Sequence, residues 1–226
     1  MNTFADRILH FYKNLQPEFK LPEGVEMMHP FKRREAWRLL SAFYKKFYSD
    51  NMPRTYIFGI NPGRFGGGVT GIPFTDPLRL QEMCGIEHNL PHKPELSSDF
   101  IYRFIAAFGG VKYFYQHFFL TAICPLGFTQ HGKNLNYYDS KELFHNAKSF
   151  IETTLKAQVK AGALQETAFC LGEGVNMKYF TLLNEELQLF KHIEPLPHPR
   201  WVMQYRRSKM EEYIKLYKDK LELHVK

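Results

Sequence analysis

The sequence predicts an α/β protein, a three-layer αβα sandwich around a central, mostly parallel four-stranded sheet. Three observations predict it. Four short apolar runs, Thr55–Ile60, Phe118–Cys124, Ala168–Leu171 and His192–Leu196, have the length and composition of strands buried on both faces. Segments with helical spacing lie between them, around residues 98–108, 140–160 and 174–189, and that alternation gives a parallel sheet covered on both sides. The chain has 226 residues, 44% of them hydrophobic, which suits the core of one ordinary domain.

Taken in order, residues 2–18 place Phe4, Ile8, Leu9, Tyr12 and Leu15 at helical spacing. Residues 33–49 do the same with Trp37, Leu40, Phe43 and Phe47, and Pro53 closes that segment. The first 53 residues are therefore expected as a helical part packed on a single domain that spans residues 1–226. The first strand then stops abruptly at Asn61-Pro62-Gly63, and glycines 66–68 follow. The final segment, 204–221, is predicted as a charged helix with Met210, Ile214 and Tyr217 on one face. Ligands of such sheets bind outside the carboxyl ends of the strands. Two of those ends are chemically unusual here: Asn61-Pro62-Gly63 after the first strand and Pro197-His198-Pro199-Arg200 after the last.

Bulk composition narrows the function classes. Lysine and arginine outnumber aspartate and glutamate by 30 to 23, a formal charge of +7 that suits a polyanion partner without demanding one. Cys84, Cys124 and Cys170 are too scattered for a metal or redox motif, and their odd number argues against a disulfide framework. Nor can three scattered cysteines hold an iron–sulfur cluster. The H-x-E and P-C-x-x-C pair of a zinc deaminase is absent, and Pro91 between His88 and His92 disfavours a helical metal pair. Neither metal nor cofactor is expected. No apolar run is long enough to span a bilayer and the N-terminus does not resemble a signal peptide, so a cytoplasmic monomer without membrane contact is expected.

The stretch from Gly59 to Phe74 carries the most information. Pro62 forces Asn61 into an extended or turn conformation, while Gly63 and Gly66–Gly68 let backbone approach a ligand. The lysine of a phosphate-binding P-loop is missing, and Pro62 stands where a dinucleotide fingerprint would turn into its helix. By residue chemistry alone the stretch is equally a plain connection or a binding loop.

The same stretch resembles the first motif of the single-strand-selective monofunctional branch of the uracil-DNA glycosylases, G-M-N-P-G-P-F-G-M followed by T-G-V-P-F-G. This chain has Gly59-Ile60-Asn61-Pro62-Gly63-Arg64-Phe65-Gly66-Gly67, then Thr70-Gly71-Ile72-Pro73-Phe74-Thr75, at the same spacing. Ser97–Gly109 resembles the helix with R-F-W-x-F-F, Phe118–Leu126 the strand ending in C-P-L, and Gly132-Lys133-Asn134-Leu135 the G-R-N-L loop. Pro197-His198-Pro199-Arg200 is similar to the second motif, H-P-S-P-R. The resemblance runs from about residue 55 to the end.

It implies a monofunctional DNA glycosylase of base excision repair that flips uracil or a related damaged base from DNA and hydrolyses its N-glycosidic bond. Asn61 would orient the attacking water through its amide carbonyl, and His198 would donate to the base O2 as negative charge develops there. Phe74 would stack on the flipped base, with Ile60 and Gly63 offering backbone amides or carbonyls to the pocket. The stretch Pro199–Tyr205, with Arg200, Trp201 and Met203, resembles the wedge loop that fills the vacated stack. Arg206 and Arg207 follow it and would hold phosphates, although a solvated helix face explains each equally well.

Two departures matter. The second motif is shortened, which shifts His198 relative to the family pattern. Ala122 stands where the branch carries a base-reading asparagine, so a broader base range is expected, with Asn134 or Asn136 as possible substitutes. The rival reading is a catalytically inactive nucleic-acid-binding module on the same fold.

Overall fold

The computed structural model describes residues 2–225. Helix α1 (Phe4–Lys13) begins at a capping box in which the Thr3 hydroxyl accepts from the Asp6 N–H and the Asp6 carboxylate from the Thr3 N–H. A short strand β1 (Val25–Met28) and helix α2 (Arg34–Phe47) complete the N-terminal part. Strand β2 (Thr55–Gly59) leads through the glycine-rich loop to the short helices α3 (Gly67–Thr70) and α4 (Pro77–Glu82). Helices α5 (Leu96–Ala107) and α6 (Gly110–His117) precede β3 (Phe118–Ala122), and a hairpin of β4 (Gly127–Gln130) and β5 (Lys133–Leu135) follows. The long α7 (Lys141–Lys160), β6 (Thr167–Leu171), α8 (Val175–Leu187) and β7 (His192–Leu196) alternate as predicted. Helices α9 (Pro199–Tyr205) and α10 (Met210–Glu222) end the chain, joined by a 3-10 turn at Arg207–Lys209.

The central sheet has the strand order β3-β2-β6-β7, and every pairing in it is parallel. Strands β2, β3 and β6 are apolar because both faces are covered, with every residue buried, whereas β7, expected to be buried on both faces, is an edge strand with His192 exposed and only Leu196 fully buried. Helices α5, α6, α9 and α10 pack among themselves in one layer, and α7 packs on α8 in the other. The winding of the sheet reverses between the parallel strands β2 and β6, since β2 connects outward to β3 on one side and β6 to β7 on the other. That reversal opens a crevice at the carboxyl ends of the strands.

The N-terminal helices share the core. Phe4, Ile8, Leu39, Leu40 and Tyr44 are buried in the same apolar cluster as Tyr56 and Phe119 of the sheet. The fully buried Arg54 guanidinium lies 4.6 Å from the Phe4 ring centre and donates to the Asp50 carboxylate at 2.7 and 2.8 Å.

Several elements depart from expectation. A three-stranded antiparallel sheet, β1-β4-β5, was not foreseen. Its hairpin turns through His131 and Gly132, both at positive φ, the geometry of a two-residue type I′ connection. Helix α6 was also unforeseen. The segment 204–221 is not one helix: α9 begins at Pro199, which suits the first helical position because it lacks the N–H that would go unpaired there.

Candidate active site

The carboxyl ends of the central strands surround a cavity of about 450 Å³. Asn61 and Gly63 reach it from β2, Ala122 from β3, Gly172 and Gly174 from β6, and His198 from β7.

Asn61 is held at both ends of its amide. Its Nδ2 donates to the Leu135 carbonyl at 3.2 Å, and its Oδ1 accepts the Tyr137 N–H at 3.0 Å. The β5 edge therefore settles which atom is oxygen. An amide carbonyl has two lone pairs, so Oδ1 keeps one for a water in the cavity.

His198 caps α9. Its Nδ1 accepts the Arg200 N–H at 3.2 Å, so the ring's proton sits on Nε2. Burial, then the Arg200 charge, depress its pKa to about 4. At neutral pH the ring is thus an uncharged imidazole with one N–H to donate. Tyr217 anchors the preceding turn by donating its hydroxyl to the Pro197 carbonyl.

Phe74 adopts a left-handed backbone, φ 54°, a conformation that costs a bulky residue about 1–3 kcal/mol. The surrounding network over-determines it: the Thr70 hydroxyl donates to the Thr75 carbonyl at 2.7 Å, and the Thr75 hydroxyl meets that of Tyr102 at 2.9 Å. The ring lies against Gly59, where a methyl group would sit 2.6 Å from two ring carbons, so only glycine admits it. Its centre is 6.3 Å from that of His198.

The remaining polar wall is divided. Ala122 lines the cavity with a methyl group, and its carbonyl accepts from Gln158 Nε2 at 3.2 Å. Asn134, on β5, turns its Oδ1 to the Arg64 N–H at 3.1 Å and its Nδ2 toward Gly63. The Ile60 carbonyl accepts the Cys124 N–H, and the Gly63 carbonyl accepts from Gly66 and Gly68. Both carbonyls are therefore engaged within the protein.

Residues 45–222 match the uracil DNA glycosylase superfamily. The chain belongs to that superfamily. It is thus a DNA glycosylase, a hydrolase of N-glycosyl bonds. The crystal structure of wild-type SMUG2 from Pedobacter heparinus is similar over nearly the whole chain, with 43% identity, a TM-score of 0.95, and coverage of 99% of this chain and 98% of that one. No curated protein matches the chain in sequence.

The glycosylase differs from the sequence reading beside the cavity. The expected wedge loop Pro199–Tyr205 is the helix α9, and Met203 is buried against the core, 3% exposed. Helical periodicity puts Val202 and Met203 on the same inward stripe as Pro199, three and four residues earlier, so Met203 is covered by the core rather than presented at the rim. Arg200 and Trp201 stay at the cavity rim, joined there by Gln204 and Tyr205 of the same stretch, which the sequence did not single out. Trp201 is steadied by Tyr213, ring centres 5.9 Å apart, and by the Arg206 guanidinium 5.1 Å from its centre. Arg207 is exposed on the 3-10 turn.

Also missed were Tyr138 and Asn176, which line the cavity, and Glu95 at the start of α5. Burial, and then the negative charge of Asp76, raise the Glu95 pKa to about 7. Among the described residues no group of three or more His, Cys, Asp or Glu is placed to hold a metal ion. The three cysteines are buried, and burial pushes each thiol up to about 12. Among the described residues no helix is long and apolar enough to cross a membrane.

Proposed function

We propose that the protein excises uracil and related damaged bases from DNA by monofunctional hydrolysis, leaving an intact abasic site for base excision repair. One observation carries this reading: Asn61 Oδ1 and the Nε2–H side of His198 belong to groups fixed by backbone bonds around one cavity that also holds the Phe74 ring.

As the C1′–N bond breaks, its electron pair leaves with the base, and positive charge grows on the sugar. Negative charge collects on the base oxygens. Neutral His198 donates its Nε2–H to the base O2 and strengthens that bond as the charge develops. Asn61 accepts a hydrogen bond from a water and orients its oxygen toward C1′. The water oxygen forms the new C1′–O bond, and its proton ends on solvent or the released base. An amide does not titrate, so Asn61 works by position rather than by taking the proton. Phe74 stacks on the extruded base and holds its plane.

DNA binding by Arg200, Trp201, Arg206 and Arg207 belongs to the same reading. The first two lie at the rim, where an aromatic ring can occupy the gap left by a flipped nucleotide, and the others add positive charge for phosphates. No lysine lines the cavity among the described residues, which supports direct hydrolysis over a Schiff base.

The test is incubation with a uracil-containing oligonucleotide, with and without chelator and borohydride. Release of free uracil, an unbroken abasic strand, no trapped adduct and no effect of chelator are expected. A protein that binds the strand and releases nothing would instead be the inactive binding module.

A further inference from the structure

Glu95 is the one carboxyl group lining the cavity among the described residues, and the chemistry above does not use it. It stands at the N-cap of α5 without capping it through its side chain: its backbone carbonyl accepts the Asp99 N–H at 2.9 Å and its backbone N–H donates to Asp76 Oδ2 at 2.8 Å, but its carboxyl accepts nothing from the helix. Its carboxyl forms no hydrogen bond or ion pair among the described residues. Instead it lies over the turn from Gly63 to Gly66. A methyl group on Gly66 would overlap Glu95 Oε2. One on Gly63 would sit 3.4 Å from Glu95 Oε1 and 3.3 Å from Asn134 Nδ2. The two polar atoms thus flank one small space that the missing Gly63 side chain leaves open. Asn134 turns its Nδ2 donor toward that space, while its Oδ1 faces the Arg64 N–H.

We propose that Glu95, as a neutral carboxylic acid, is a base-reading residue that acts with Asn134 to bracket a keto oxygen of the flipped base between two hydrogen-bond donors. The inference rests on the glycosylase reading above and deepens it. A keto oxygen has two lone pairs and can accept from both groups, whereas an amino substituent presents hydrogens to two donors and is rejected. The contact therefore supplies selection that the Ala122 methyl cannot. It also favours reaction, since negative charge spreads onto the keto oxygens of the leaving base. A donor there strengthens in the transition state, and a carboxylate would oppose it. Burial and then the charge of Asp76 raise its pKa to about 7, against the opposing positive charge of Arg200 at the rim.

The experiment is single-turnover release of uracil from pH 5.5 to 8.5 by the wild-type chain, Glu95→Gln, Glu95→Ala and Gly66→Ala. Circular dichroism monitors the fold. The wild-type rate should fall as pH rises through about 7. Glu95→Gln keeps an N–H donor and should stay active with that fall abolished. Glu95→Ala should lose roughly 10- to 100-fold at pH 6, the effect of one hydrogen bond that strengthens with charge. Gly66→Ala, which pushes the carboxyl aside without removing it, should lose activity in the same sense. Equal rates for wild type and Glu95→Ala at every pH, or a Glu95→Gln variant as impaired as Glu95→Ala while folded, would overturn the proposal. Should Glu95→Ala not fold, the pH profile of Glu95→Gln decides alone. A wild-type chain that releases no base would overturn the functional reading instead.

Discussion

The Arg200 backbone N–H donates to His198 Nδ1 at 3.2 Å, and this single bond fixes the proton of the imidazole on the opposite nitrogen. The N–H that remains is the only hydrogen the neutral ring has to give. Pro199, between the two residues, has no N–H to compete for Nδ1 and starts the helix that aligns Arg200.

A pH dependence follows from that ring. The folded pKa of His198 is about 4, below its ordinary value of 6.5, so folding favours the neutral form. The linked stability is present above about 6.5 and is lost as pH falls from there through about 4. His198→Asn should flatten this part of the acid limb in a melting-temperature series between pH 4 and 6.5. An unchanged acid limb would mean that folding does not depress the pKa of the ring.

Much of this was legible in the sequence, for physical reasons. Strands β2, β3 and β6 are buried throughout and therefore show as apolar runs, whereas β7 is an edge strand with His192 exposed and only Leu196 fully buried. Asn61 and His198 could be singled out because each stands just beyond a strand end beside a proline, and their roles were supplied by the family resemblance. The hairpin was not legible: β5 is only Lys133–Leu135, with two of its three residues exposed, so no alternation betrays it. Met203 was misplaced because a resemblance to a loop carried no information on helical phase. Glu95 had no sequence signal, since its place in the cavity depends on the missing side chains of Gly63 and Gly66, some thirty residues earlier.

Trp201 is 38% exposed at the rim, braced by Tyr213 and Arg206. Trp201→Ala should slow cleavage of duplex substrates more than of single strands, because only a duplex has a stack to refill. Single-turnover rates on the two forms of one sequence provide the comparison. An equal loss on both would assign Trp201 to the pocket wall.

The Ala122 methyl faces the cavity while its backbone is held by Gln158. Ala122→Asn would add a donor and an acceptor to the base edge. It should raise uracil cleavage relative to xanthine by roughly 10-fold, the effect of one or two hydrogen bonds of about 1 kcal/mol each. An unchanged ratio would show that the base does not reach this wall.

Base release by this site depends on the shared work of Asn61 and His198. Asn61→Ala removes the water-orienting carbonyl, and His198→Ala removes the donor to the leaving base. Single-turnover uracil release should fall by ~10²–10³ in each variant, the usual effect of deleting one preorganised group. Melting curves and binding to abasic DNA should show both proteins folded and able to hold product. A folded Asn61→Ala or His198→Ala protein that releases uracil at close to the wild-type rate would contradict that dependence.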